Sequence, residues 1–154
     1  MAETTLNQIN KKLSEIDTKL SALLVKKETP TSEEKLAIKR GKQEFKEGKF
    51  ESWRAVKAKM KWRHLPRFNI SLSNKSEKGL SKADSKYKQK LIETINEIET
   101  NPVPSDKYDV TKLTGSKANY RIKIIPYRIL YTIIWENKEI RIYDIDKRKN
   151  RTYK

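Results

Sequence analysis

Between residues 6 and 24 the apolar positions are Leu6, Ile9, Leu13, Ile16, Leu20, Leu23 and Leu24. Steps of three and four residues alternate along this stretch, and a helix gathers such positions on one face. The pattern predicts a helix with a hydrophobic seam, which either meets a second helix as a coiled-coil or dimerisation element or packs on its own domain. At Pro30 the pattern stops, and Thr31 or Ser32 followed by Glu33 and Glu34 supplies the capping oxygen and carboxylates that begin a second helix, ending near Gly48. Ser52 can cap a third, short helix with Trp53, Val56 and Met60 on one side, before Pro66 forces extended backbone and residues 62 to 67 read as a linker.

From Phe68 the texture changes. Phe68, Ile70 and Leu72 alternate with polar residues as in a half-buried strand. A short helix around residues 75 to 83 carries Leu80, and a longer one from about 85 to 100 places Tyr87, Leu91, Ile92, Ile95 and Ile98 on one face. Pro102 and Pro104 break it, and three runs rich in Ile and Tyr at 119 to 125, 127 to 135 and 138 to 145 predict an antiparallel meander. This order implies an α+β class, a small antiparallel sheet with two helices on one face, preceded by an N-terminal extended helical segment. The expected units are residues 1 to 29, 30 to 66 and 67 to 154.

Charge changes the picture. The chain has 36 Lys and Arg against 20 Asp and Glu, a net +16, which favours polyanionic partners such as nucleic acid. No apolar run is long enough to span a bilayer and no signal peptide is legible, so no membrane partner and a cytoplasmic location are expected. With no cysteine and one histidine, His64 in the linker, the chain has neither thiolate chemistry nor a basis for a cysteine or histidine metal site, and no cofactor or metal is expected. Catalysis would fall to Lys, Arg, Tyr or carboxylates.

From Tyr120 onward there are ten Lys and Arg against four carboxylates. Strand alternation puts Arg121 and Lys123 on one face and Tyr120, Ile122 and Ile124 on the other. In a meander, Arg128 and Arg148 could converge on that face with Tyr153 nearby to form a cationic pocket; alternatively these side chains simply solvate an open sheet face.

Lys112-Leu113-Thr114-Gly115, Tyr120-Arg121-Ile122-Lys123 and Tyr127-Arg128-Ile129-Leu130-Tyr131, followed by Ile145-Asp146-Lys147-Arg148 and Arg151-Thr152-Tyr153, run in the order and spacing of toxins of the RelE/ParE superfamily. Residues 67 to 154 resemble a RelE-like toxin domain. The resemblance implies a ribosome-dependent, metal-independent endoribonuclease that cuts messenger RNA with the RNA's own 2′-hydroxyl as nucleophile. It casts Lys123 as the base, crowded by the like charge of Arg121 and Arg128, with Arg121 also holding phosphate. Arg128 is cast as transition-state stabiliser, Arg148 as late charge stabiliser or proton donor, and Tyr153 as an aromatic that stacks on a base or orients the 2′-hydroxyl. Lys112, Lys147 and Arg151 are the expected RNA-binding cations. One departure is Asp146-Lys147 where many relatives have Gly-His or Gly-Lys. ParE-like relatives share the scaffold and act on DNA gyrase, which leaves a second reading open.

Residues 32 to 61, with Glu33-Glu34, Phe45, Gly48-Lys49-Phe50, Trp53 and Val56, resemble the toxin-wrapping part of RelB-like antitoxins, as if antitoxin and toxin were fused. The resemblance implies toxin contacts through Trp53 and Val56 and a homodimer through Leu6, Ile9, Leu13, Ile16 and Leu20. The antitoxin-like segment would serve in cis or in trans. Partners would be the ribosome and messenger RNA, with operator DNA for a non-catalytic, autorepressing alternative. Because residues 1 to 67 hold 17 Lys and Arg against nine acids, a net +8, masking of a cationic site is expected to be steric or apolar, not electrostatic.

Overall fold

A computed structural model describes residues 2 to 59, 68 to 115 and 118 to 148. The chain runs α1 (Ala2–Leu24), β1 (Lys26–Glu28), α2 (Ser32–Lys46), β2 (Phe50–Ser52), α3 (Trp53–Lys59), β3 (Asn69–Ser73), α4 (Asn74–Ser81), α5 (Ser85–Thr100), β4 (Asp109–Leu113), β5 (Asn119–Ile124), β6 (Tyr127–Ile134) and β7 (Glu139–Lys147). The linker reading at 62 to 67 and His64 lie outside the described residues.

All the strands join one sheet in the order β1-β4-β5-β6-β7-β3-β2. Strands β4 to β7 form an antiparallel meander. The expected meander is there, and β4 extends it by one strand. Two parallel contacts complete the sheet, β3 on β7 and β1 on β4, while β2 pairs antiparallel with β3. Both outermost strands therefore come from the N-terminal segment: β1 covers the β4 edge of the meander, and β2 covers β3, which itself covers the β7 edge.

One face of the sheet carries the main core. Tyr120, Ile122 and Ile124 of β5 point into it and meet Leu91, Ile92, Ile95 and Ile98 of α5, with Leu80 of α4 and Trp53 and Val56 of α3 in the same cluster. This is the expected arrangement of two helices on one face. The second face, left open by the sequence reading, is covered by α2, whose Ala37, Ile38 and Phe45 pack on Leu113, Leu130 and Tyr143. A register shift between Leu130 and Tyr131 leaves Tyr143 as the extra residue of β7, since Leu130 pairs with Asp144 and Tyr131 with Ile142. Gly41 lets α2 approach this bulge, because a Cβ there would sit 2.5 Å from that of Tyr143. A glycine inside a helix costs about 1 kcal/mol relative to alanine; here close packing offsets it.

The seam of α1 does not pack on its own domain: Leu6, Leu13 and Leu20 remain 58%, 58% and 52% exposed. The helix instead rests on its polar side. Lys11, Ser14, Glu15, Thr18 and Lys19 line a cavity with Phe68, Trp135 and Lys138, Glu15 pairs with Lys138 at 3.0 Å, and Ala22 and the following Val25 enter the core. Among the described residues no helix is long and apolar enough to cross a membrane.

Candidate nucleic-acid site

The site lies on the α2 face of the sheet. Cross-strand pairing sets Asp109, Lys123, Arg128 and Asp146 in one row, and Thr111, Arg121, Leu130 and Asp144 in the next. Residues two apart on a strand share a face, so Arg121, Lys123 and Arg128 are neighbours, as strand alternation predicts.

Glu34 gathers the arginines. It lies at the third position of α2, where its Oε2 accepts the backbone N–H of Thr31 at 2.9 Å while the Thr31 hydroxyl accepts the N–H of Glu34 at 3.2 Å. This capping box fixes the carboxylate at the helix start. The other oxygen accepts from Arg121 Nη1 at 2.8 Å and stands 3.6 Å from Arg128 Nη1. Glu28 of β1 takes the second edge of the Arg121 guanidinium, and Glu33 lies 3.4 Å from Arg128 Nη2. Burial alone would weaken the Arg121 cation, but hydrogen bonds and charge from Glu34 and Glu28 outweigh it and raise its pKa. Glu28 is held down to about 2 by hydrogen bonds from Lys26 and Arg121.

The carboxylates leave some capacity unused. Arg121 Nε and Arg128 Nε are buried without a hydrogen-bond partner among the described residues, as is the Thr111 hydroxyl. A planar guanidinium with donors to spare suits phosphate oxygens. Lys123 lies at the rim, about a third exposed, 3.3 Å from Asp109, a carboxylate neighbour that the sequence reading did not include. Asp144 is buried beside Lys75 at 3.3 Å, and burial raises its pKa.

The other expected site residues divide. Arg148 is exposed, and its backbone N–H donates to the Pro126 carbonyl at 2.7 Å, which holds it beside the β5–β6 turn next to Arg128's end of the sheet. Lys147 points to the opposite face, where it pairs with Asp84 at 2.8 Å. Lys112 also lies on that face, over the Tyr120 ring at 5.9 Å, so neither lysine joins the arginine cluster. Tyr153 and Arg151 lie outside the described residues. Trp53 and Val56 are buried against the domain, the Trp53 indole donating to Asn96 Oδ1 at 3.1 Å.

The expectation that the N-terminal segment could not meet the cations by charge is corrected. Its net charge is positive, yet three of its nine acidic residues, Glu28, Glu33 and Glu34, are concentrated where Arg121 and Arg128 emerge. Electrostatic complementarity is decided within a Debye length, about 10 Å, and not by a segment total. Glu33 and Glu34 were legible as capping residues; their cross-sheet partners were not.

Residues 70–151 match the family model described as ParE toxin of type II toxin-antitoxin system, parDE. The chain belongs to this toxin family. A curated relative in Methanocaldococcus jannaschii, described as a candidate toxin RelE1, is 31% identical over 83 residues, which span 54% of this chain and 92% of the relative. Among solved structures, the archaeal RelE-RelB complex from Pyrococcus horikoshii OT3 is similar at 27% identity with a TM-score of 0.49, covering 54% of this chain and 97% of that one. The isolated E. coli RelE toxin is similar at 21% identity with a TM-score of 0.46, covering 54% and 86%. Arg121, Lys123, Arg128 and Arg148 fall inside the family's matched range, whereas Glu28, Glu33 and Glu34 precede it.

Proposed function

We propose that this chain is a ribonuclease toxin of the RelE kind whose anion site is closed by its own antitoxin-like N-terminal segment. The observation that carries the reading is Glu34, fixed by its capping box and directed at both Arg121 and Arg128. With 9% and 13% side-chain exposure, the two guanidiniums can receive a phosphate only after the start of α2 withdraws.

In the open form the substrate is messenger RNA in the ribosomal decoding site. The 2′-oxygen attacks the adjacent phosphorus while the bond to the 5′-oxygen breaks, leaving a cyclic phosphate and a free 5′-hydroxyl. Lys123 is the group that takes the 2′-proton, and Arg121 and Arg128 carry the negative charge that grows on the phosphoryl oxygens. Arg148 adds charge beside the leaving 5′-oxygen, which takes its proton from water to become the hydroxyl. The carboxylates that occupy the arginines in the closed form stand where those oxygens would go, so one cluster serves both mask and catalyst.

Arg128→Ala in the full chain opened by Glu34→Gln tests this reading with ribosomes programmed with message. Loss of an oriented charge of this type lowers turnover by roughly 10²- to 10³-fold. Unchanged cleavage would remove Arg128 from the chemistry. The family description names ParE, and the resemblance to ParE-like toxins, which act on DNA gyrase, supplies a second reading. Arrest of supercoiling without message cleavage would establish it.

A further inference from the structure

The outward seam of α1 has a complete heptad order. Leu6, Leu13 and Leu20 hold the first core position, a, and Ile9, Ile16 and Leu23 the second, d. These six side chains are 49% to 68% exposed, and Leu24, at the flanking position e, is 86% exposed. Of the groups that seat the helix on its own domain, Lys11, Ser14, Glu15 and Thr18 occupy positions b, c and f on its far side, and Lys19 lies at g on the flank. The seam can therefore be covered without moving α1 from its seat.

Charge specifies the occupant and its direction. Lys12 and Lys19 stand at position g and Asp17 at position e, all exposed. In a parallel, in-register assembly of identical helices, g of one strand faces e of the next heptad on its neighbour, so Lys12 meets Asp17 at every interface. An antiparallel arrangement would bring Lys12 against Lys19. We propose that α1 joins the α1 helices of further copies of this chain in a parallel coiled coil. Leucine at a with isoleucine at d favours more than two strands, and a wider bundle also begins to cover Leu24. The assembly is independent of the catalytic reading, because no residue of the arginine cluster takes part.

The test is the solution mass of the full chain by sedimentation equilibrium, with the urea midpoint as a check on folding. The expected species has three or four times the 18.2 kDa of one chain. Leu13→Glu with Ile16→Glu should return it to a single chain with the urea transition of the domain retained. Lys12→Asp alone places like charges together and should weaken association roughly tenfold or more at low salt. Lys12→Asp with Asp17→Lys restores it only if the strands are parallel. A single chain at all concentrations, or a double exchange that fails to recover association, overturns the proposal.

Discussion

Among the ion pairs between the N-terminal segment and the toxin domain, the two at α3 and at the start of α2 are built in opposite ways. Under α3, Lys57 comes from the N-terminal segment and Glu99 from α5, with 5% and 3% side-chain exposure. One ammonium donates to both oxygens of one carboxylate at 2.8 and 2.7 Å. Charge is matched one to one. At the start of α2 the signs are exchanged: the N-terminal segment supplies Glu28, Glu33 and Glu34, and the domain supplies Arg121 and Arg128. Exposure there grades from Glu34 at 1% to Glu33 at 63%, and both arginine Nε groups have no hydrogen-bond partner among the described residues. A closed, buried pair belongs to a permanent joint; a graded one with unused donors belongs to a contact that another anion can replace.

Lys57→Met should show the permanent joint most strongly. It strands the Glu99 carboxylate in the core, and removing one partner of a buried pair costs about 3–5 kcal/mol. Urea unfolding measures it. Lys57→Met with Glu99→Leu should recover most of that loss, because two apolar side chains of similar volume replace the pair without a buried charge. Were the single variant near wild type, this joint would be as replaceable as the other and the contrast would vanish.

Glu34→Gln comes next. Glutamine at the third helical position still accepts the Thr31 N–H, so the capping box survives while the charge facing Arg121 and Arg128 is lost. Stability should fall by about 1–3 kcal/mol, the range for a weakened buried polar contact. Message cleavage by the full chain should rise, by about tenfold for each 1.4 kcal/mol removed from the closed form. Glu33→Gln, at an exposed pair, should change stability by about 1 kcal/mol or less. If Glu34→Gln destabilises the chain without increasing cleavage, both clusters are structural joints and the mask is lost as an idea.

The contrast also shows where sequence reasoning runs out. Periodicity placed α5 and the last three strands because each has enough residues to complete its repeat, and alternation in β5 put Arg121 and Lys123 together. The three-residue strands β1 and β2 have no repeat to read, and β4, with the sequence Asp-Val-Thr-Lys-Leu, is too polar to stand out. The covered second face did leave a trace. Strand β6 reads Tyr-Arg-Ile-Leu-Tyr-Thr-Ile-Ile, nearly continuous apolar character of the kind found where both faces are buried, and Leu130 meets α2 while Ile129 and Tyr131 face α5. The pairing of Glu34 with Arg121 spans 87 residues, so no local rule could announce it.

The smallest expected effect is the part of the pH dependence that Glu28 carries in the replaceable cluster. Glu28 has its pKa lowered from 4.5 to about 2 by Lys26 and Arg121. A carboxylate that binds its proton less readily in the folded chain than in the unfolded one stabilises the fold above the unfolded value, and loses that contribution as protons return. The Glu28 contribution should thus be complete above about pH 4.5 and fade as pH falls towards 2. Asp144 acts with the opposite sign, since burial raises its pKa and protonation relieves the penalty. The wild-type profile therefore mixes both, and the difference between wild type and Glu28→Gln isolates the first. Urea unfolding of the two proteins between pH 6 and pH 3 should show that difference narrowing on acidification. A constant gap over that range would mean that Glu28 acts through packing on β4 and not through its charge on Arg121.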